Sequence, residues 1–471
     1  MAIILPFIAG SAIIVALFPE YCLSGVCMIL AGSLGAGIGL GITSATAFLW
    51  LAWVDHPGGY YLMAELGLSV FLVLLAYYRF RVAKDAVRRD QLSSYRSSVP
   101  QIKWLKGIFL FLLVAFAASF ILKAYFDRPH GAHDAWAIWN YRARWLFRGG
   151  DNWTHAFTYL NAADSPDYPL LVTGSVFRMW SILGTDYVAI PIMVAGVLAV
   201  GSILIIFSSI AILRGENHGY LAAMFMFLAT QFLNVATYQY ADAPLSFYIL
   251  STIALFSLKD NYPNLSLRLL FLAGLTASCA AWTKNEGVLF LVLIILIRFI
   301  GELRRHNWSG ILTQFFSFIM GMSFLGGTLI YFKLRFAIKN DLINEANLSK
   351  LSVYLFDWDR YLEVLSGMAK RILDFNDHII ILLIVFFLIS GVDRSSFVKK
   401  GVASHILLML LMLCGYAFSF FISPHDLNWH MGSSFRRLMV QLWPAWVFIA
   451  FYCVKRLEKN LEGEHGKILS S

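Results

Sequence analysis

The chain has 471 residues, of which 59% are hydrophobic, 16% aromatic and only 14% charged, where a soluble domain carries about a quarter charged residues. A soluble globule and a disordered chain are both excluded by that balance, and the long continuous apolar runs exclude the alternating pattern of a membrane β-barrel. What remains is an all-α polytopic membrane protein, with a net charge of +9 that points to nucleic acid, lipid phosphate or a bias between loops, depending on where the charges sit.

Residues 1–18 are apolar without a basic leader and read as a first membrane helix, not a cleaved signal. A span needs about 20 apolar residues. Runs near that length fall at 3–18, 24–54, 60–78, 105–126, 187–213, 219–237, 240–258, 266–282, 286–300, 309–332, 376–391, 402–423 and 438–455. They predict about 13 transmembrane helices. The run 24–54 contains Gly32, Gly35, Gly37, Gly39 and Gly41 and reads as one tilted helix or a hairpin. The five cysteines (Cys22, Cys27, Cys279, Cys414 and Cys453) lie in or beside apolar runs, without a CxxC or a Cys/His cluster. Neither a disulfide framework nor a zinc site is implied.

The basic loop Arg79–Lys106 holds eight Lys and Arg and sets the cytoplasmic side. The segment 127–186 then lies outside, with Pro169–Gly184 as a helix along the outer membrane surface. In this arrangement the inside segments carry 21 basic and nine acidic residues, the outside segments 16 of each, and Glu20, Asp55 and Glu65 near the N-terminus fall in neither group, which together give the +9. The +9 is therefore a topology signal, and no nucleic-acid partner is expected.

Five polar clusters fall on the outer face, in chain order. In His133-Asp134-Ala-Trp136, Asp134 reads either as a helix cap or as a carboxylate able to take a proton from an attacking hydroxyl. Arg144 and Arg148, four apart, form a solvated pair or a phosphate contact. Asp164-Ser-Pro-Asp167-Tyr168-Pro169 is a stiff turn in which Asp167 caps the next helix or binds a hydroxyl. Tyr240-Ala-Asp242-Ala-Pro244 opens an apolar helix, with Pro244 in its first turn. There Asp242 is a cap or part of a sugar pocket.

Thr283-Lys284-Asn285-Glu286-Gly287 reads as a tight turn, but a Lys on the outer side opposes the loop bias. Lys284 is assigned to a phosphate or to Glu286. Finally, Pro424–Arg437 holds His425, Asp426, His430, Arg436 and Arg437. A cation at a helix start is unfavourable for the dipole, which favours a phosphate partner for Arg436 or Arg437. The histidine spacing allows a divalent metal without predicting one. No P-loop, GxGxxG or GxSxG motif is present. The stretch 333–375 is a solvated loop or a short amphipathic lid.

Asp134, Tyr168-Pro-Leu-Leu171, Ala241-Asp-Ala-Pro-Leu245, Thr283–Gly287 and Arg437-Leu438 with Pro444, in this order over roughly 105–455, resemble the GT-C glycosyltransferase superfamily. The likeness is to the bacterial branch related to the lipid A aminoarabinose transferase and to protein O-mannosyltransferases. That resemblance implies an inverting transfer from a polyprenyl-phosphate-sugar donor to a lipid, glycan or protein acceptor. The reaction would take place on the outer face of the bacterial inner membrane, in contact with membrane lipids. Asp134 would be the general base, with Arg144, Lys284, Arg436 and Arg437 on the donor phosphate. His133, Asp167, Tyr168, Tyr240, Asp242, Glu286 and His430 would contact acceptor or sugar. No cofactor is required by the resemblance.

One departure is Ala135, where family members often carry a second acid. Residues 1–104 read as additional N-terminal helices with the basic loop, 105–455 as the catalytic core and 456–471 as a cytoplasmic tail. The alternative function is a membrane transporter or flippase, which requires charged or broken helices near the membrane midplane. Glu65 is the main such charge. A non-catalytic scaffold is a third reading.

Overall fold

The computed structural model describes residues 1–20, 25–54, 59–86, 102–158, 165–303, 308–337, 354, 356–376, 378–393 and 401–455. Asp164, the tail 456–471 and much of the 79–106 and 333–375 segments lie outside the described residues. Among these residues the chain is helical, with an isolated bridge between Val392 and Val454. In order the helices are α1 Ile4–Leu17, α2 Gly25–Val54, α3 Gly59–Ala86, α4 Lys103–Leu122, α5 Asn140–Arg148 and α6 Leu171–Leu183. Next come α7 Ala189–Arg214, α8 Glu216–Phe227, α9 Thr230–Thr237, α10 Asp242–Asn261, α11 Ser266–Thr283 and α12 Asn285–Leu303. The last are α13 Trp308–Arg335, α14 Trp358–Leu373, α15 Ile379–Ser390, α16 Val402–Phe421 and α17 Leu427–Cys453.

Seven of these helices are long and apolar enough to cross a membrane, eight if α8 and α9 form one bent span. The thirteen apolar runs give fewer spanning helices for identifiable reasons. The first run folds as 14 residues and the 376–391 run as 12, short of the roughly 30 Å apolar core at 1.5 Å per residue. The 219–237 run breaks between α8 and α9 with a bend of 65°. At that break the side chain of Asn376 accepts from the Gln231 N–H (2.8 Å) and the Thr230 hydroxyl (2.9 Å), and donates to the Leu228 carbonyl (2.8 Å). Backbone groups freed inside a membrane protein require such partners.

The Gly-rich run is a single helix of 30 residues, and the hairpin alternative is set aside. Its glycines let neighbours approach closely, the usual packing device where lipid supplies no hydrophobic drive between helices. A Cβ on Gly39 would run into the Pro6 carbonyl of α1. Helix α2 packs against α1, α6 and α7, and α10 against α7, α11 and α17. Trp139, Trp180, Trp282 and Trp443 are fully buried among these elements.

At 13 residues, α6 is too short to span. Every residue from Leu171 to Trp180 is buried against the rest of the bundle. Arg178 in its middle is completely buried and binds Glu65 of α3 through Nε at 2.8 and 3.0 Å, and donates to the Ala2 carbonyl at 2.6 Å. Glu65, the exceptional charge of the sequence's apolar runs, therefore ties α3 to α6, and the same guanidinium holds the Ala2 carbonyl just before α1. Removing one partner of a buried ion pair costs about 3–5 kcal/mol. Glu65→Gln is expected to lower the thermal unfolding midpoint of the purified protein, whereas Glu65→Gln with Arg178→Met recovers much of the loss. Equal stability of Glu65→Gln and the parent protein would show that the pair holds nothing.

Basic side chains tie several helices together at the other end of the bundle. Arg79 donates to the Ala16 carbonyl, Arg214 to Tyr452, and Lys455 bonds back to Gly391. With Lys259 and Arg298 these lie at the end of the bundle opposite Asp134, Asp242 and Lys284. Helix α10 separates Asp242 from Lys259 by 17 residues, about 25 Å of axis.

Candidate functional site

All five polar clusters meet at one end of the bundle. Asp134 follows a tight turn at Gly131, whose φ of +76° suits glycine and whose Cβ position would lie 2.6 Å from the Tyr238 carbonyl. The Ala132 N–H donates to that carbonyl, and Gln239 donates to the carbonyls of Arg128 and Pro129 and accepts from Asn140. These bonds fix the first loop against the start of α10. Asp134 does not cap the following helix, as its side chain accepts no backbone N–H there. Its carboxylate, 24% exposed, instead contacts the Arg437 guanidinium. The Asp134 N–H donates to the Tyr240 hydroxyl at 3.2 Å, and Arg437 lies over the Tyr240 ring at 5.2 Å.

Behind this rim sits a buried charge cluster. Asp242 is in the first turn of α10, where the helix dipole favours a carboxylate, and it is 1% exposed. It too makes no capping bond. Lys284 occupies the extended link between α11 and α12, with φ −161° and ψ 161°. That link aims its ammonium at Asp242 (3.0 Å) and Glu286 (2.7 Å). Burial opposes the Lys284 charge, but the two carboxylates more than offset it and hold the ammonium above its ordinary range. Gln441, four residues after Arg437 on the same face of α17, donates to Asp242 at 2.6 Å, and its oxygen accepts from Tyr416 at 2.6 Å.

Asp167 and Tyr168 form the adjoining wall. Asp167 accepts from Asn285 at 2.8 Å and pairs with Lys333 of α13 at 3.3 Å, so it is not a cap either. Tyr168 stacks on Trp139 with centroids 5.4 Å apart and planes at 7°, and Lys284 lies 5.7 Å from its ring centre. Burial pushes the Tyr168 phenol up to about 12. Four polar atoms of this assembly, Arg437 Nε, Glu286 Oε2, Trp139 Nε1 and Asn140 Oδ1, are buried with no hydrogen-bond partner among the described residues. In a network otherwise this well paired, such atoms mark where a ligand's polar groups fit.

Other expected site residues lie outside this network. Arg144 and Arg148 both engage Asp186, at 3.1 Å and 2.7 Å. Although burial opposes it, these guanidiniums hold the Asp186 carboxyl below the usual carboxylate range. Arg144 is thus committed to a carboxylate. Arg436 points away from the cluster and is exposed. His133 is largely exposed, 3.4 Å from Asp134 and edge-on to Trp136.

His430 shares a hydrogen bond with Ser423 at 2.8 Å, and burial, with His425 and Arg437 nearby, pushes its imidazole down to about 4. Asp426 caps α17 by accepting from the Trp429 N–H at 2.8 Å. No group of three or more His, Cys, Asp or Glu placed to hold a metal occurs among the described residues.

Gln441, Tyr416, Lys333 and Arg142 were missed by sequence reasoning. Arg142 is fully buried and donates to the Tyr168 carbonyl at 3.3 Å. The signals were present: a lone amide inside the last apolar run, and a lysine just past the end of the 309–332 run. Comparison with protein-family models, curated proteins and solved structures returned no match.

Proposed function

We propose that this membrane protein is an inverting glycosyltransferase that uses a polyprenyl-phosphate-linked sugar, with Asp134 as general base. The observation that carries this reading is the arrangement at one membrane end: a partly exposed carboxylate held by Arg437 at the rim of a buried cluster containing Lys284. Buried charges at membrane depth are costly and are kept for function. The acceptor hydroxyl oxygen attacks the anomeric carbon as its bond to the phosphate oxygen breaks. The hydroxyl proton passes to Asp134, and the polyprenyl phosphate leaves with the bonding electrons. Cations stabilise the departing phosphate, so no strong acid is needed.

Arg437 and Lys284 are the cations within the cluster, and the unpartnered Nε of Arg437 leaves it a donor to offer. A donor phosphate on Arg437 competes with Asp134 for the guanidinium and so frees the carboxylate to accept the proton. The site faces the outer side of the inner membrane, opposite the basic Arg79–Lys106 loop of the sequence. The acceptor is a lipid, glycan or protein.

One observation favours a transporter: the bent α8–α9 pair resembles the broken helices of transport proteins. Proteoliposomes containing the purified protein and a panel of labelled polyprenyl-phosphate sugars separate the two readings. Transfer predicts discharge of free polyprenyl phosphate together with a labelled acceptor. Movement of label across the bilayer without discharge would replace the transferase by a transporter.

A further inference from the structure

At the opposite membrane end, α10, α11, α12 and α13 enclose a cleft that the proposed reaction does not use. Its wall is mostly apolar, with Ile311, Phe299 and Phe315, and its polar groups are Lys259, Arg298 and Gln314. Arg298 binds Asp260 at 3.2 Å, approaches His405 at 3.4 Å and lies over the Phe256 ring at 4.1 Å. Asp260 is shared with Lys259 at 3.5 Å. Despite these contacts, Arg298 Nε is buried without an acceptor among the described residues. Just beyond the cleft, Leu312 and Phe316 are 64% and 65% exposed, the mark of a lipid-facing surface. Trp308, 62% exposed at the start of α13, suits the membrane interface. Gln314 lies six residues further in, about 9 Å of helix, beside the acyl-chain region.

We infer that this cleft binds an anionic phospholipid, with its phosphate on Arg298 and Lys259 and an acyl chain along Phe299, Phe315 and Ile311. Free phosphate fits the apolar walls poorly, whereas a headgroup anchored by chains satisfies both halves of the cleft. Basic pockets between membrane helices recognise acidic lipids by this combination.

The test uses the full chain, purified in mild detergent and mixed with phosphatidylglycerol, phosphatidylcholine or inorganic phosphate, with retained ligand read by native mass spectrometry. Two cations at the headgroup predict about thirtyfold preference for phosphatidylglycerol over phosphatidylcholine. Arg298→Gln combined with Lys259→Gln removes that preference. Ile311→Trp fills the cleft without changing charge and is expected to reduce phosphatidylglycerol retention on its own, so it decides the matter if the double variant does not fold. Arg268→Gln, an exposed cation at the same end, leaves retention unchanged. Equal retention of the two lipids, undiminished retention by Ile311→Trp, or retention of inorganic phosphate in place of lipid would overturn the inference.

Discussion

Asp134→Asn is expected to lower sugar transfer by about 10²–10⁴-fold, the usual contribution of a positioned general base, while leaving the protein folded. The amide keeps the carboxylate's shape, and the backbone N–H of residue 134 still reaches the Tyr240 hydroxyl. What disappears is the ability to accept a proton and the charge opposite Arg437. Arg437, 20% exposed at its side chain, loses its ion-pair partner in this variant. Arg437 retains Asp242 in its electrostatic surroundings. Discharge of a labelled donor and the thermal midpoint should be measured on the same preparation. Normal turnover by the variant would remove Asp134 from the mechanism.

Lys284→Met predicts a loss of a different kind. Lys284 is 8% exposed at its side chain and lies between Asp242, 1% exposed, and Glu286. Deleting the ammonium leaves two nearby carboxylates without their common partner, and breaking a buried pair in this way costs about 3–5 kcal/mol. The measurement is thermal or denaturant unfolding of the purified variant. A triple change, Lys284→Met with Asp242→Asn and Glu286→Gln, removes the charges together. It is expected to recover most of the stability while remaining inactive in transfer. If Lys284→Met is as stable as the parent protein, the cluster is not the tightly coupled unit drawn above. If the triple variant transfers sugar normally, Lys284 has no part in binding the phosphate.

The sequence made the class of the fold legible because hydropathy is a local property: runs such as 187–213 become helices with little regard to what surrounds them. It was less informative about short or broken runs. Nothing local in 219–237 announces that Asn376, about 140 residues later, will satisfy a break there. The polar clusters of the site were visible as charged residues at the ends of apolar runs, and all five share one network. Their pairing was not visible. Arg144 carries the same chemistry as Arg437, yet Asp186 engages it, and only the packing of α5 beside α6 brings those two together. The capping reading of Asp134, Asp167 and Asp242 was reasonable on local grounds and failed for a non-local reason, since cations from distant helices reach all three.

The junction between α8 and α9 bears on how this protein moves. A kink relieved by water or by its own loose carbonyls would be a natural pivot. Here one asparagine from a distant segment supplies three bonds across it, each worth about 0.5–1.5 kcal/mol net. The elbow is thus fastened to the rest of the scaffold. Opening it as a hinge would require breaking all three bonds together, which sets this bend apart from an unsupported kink.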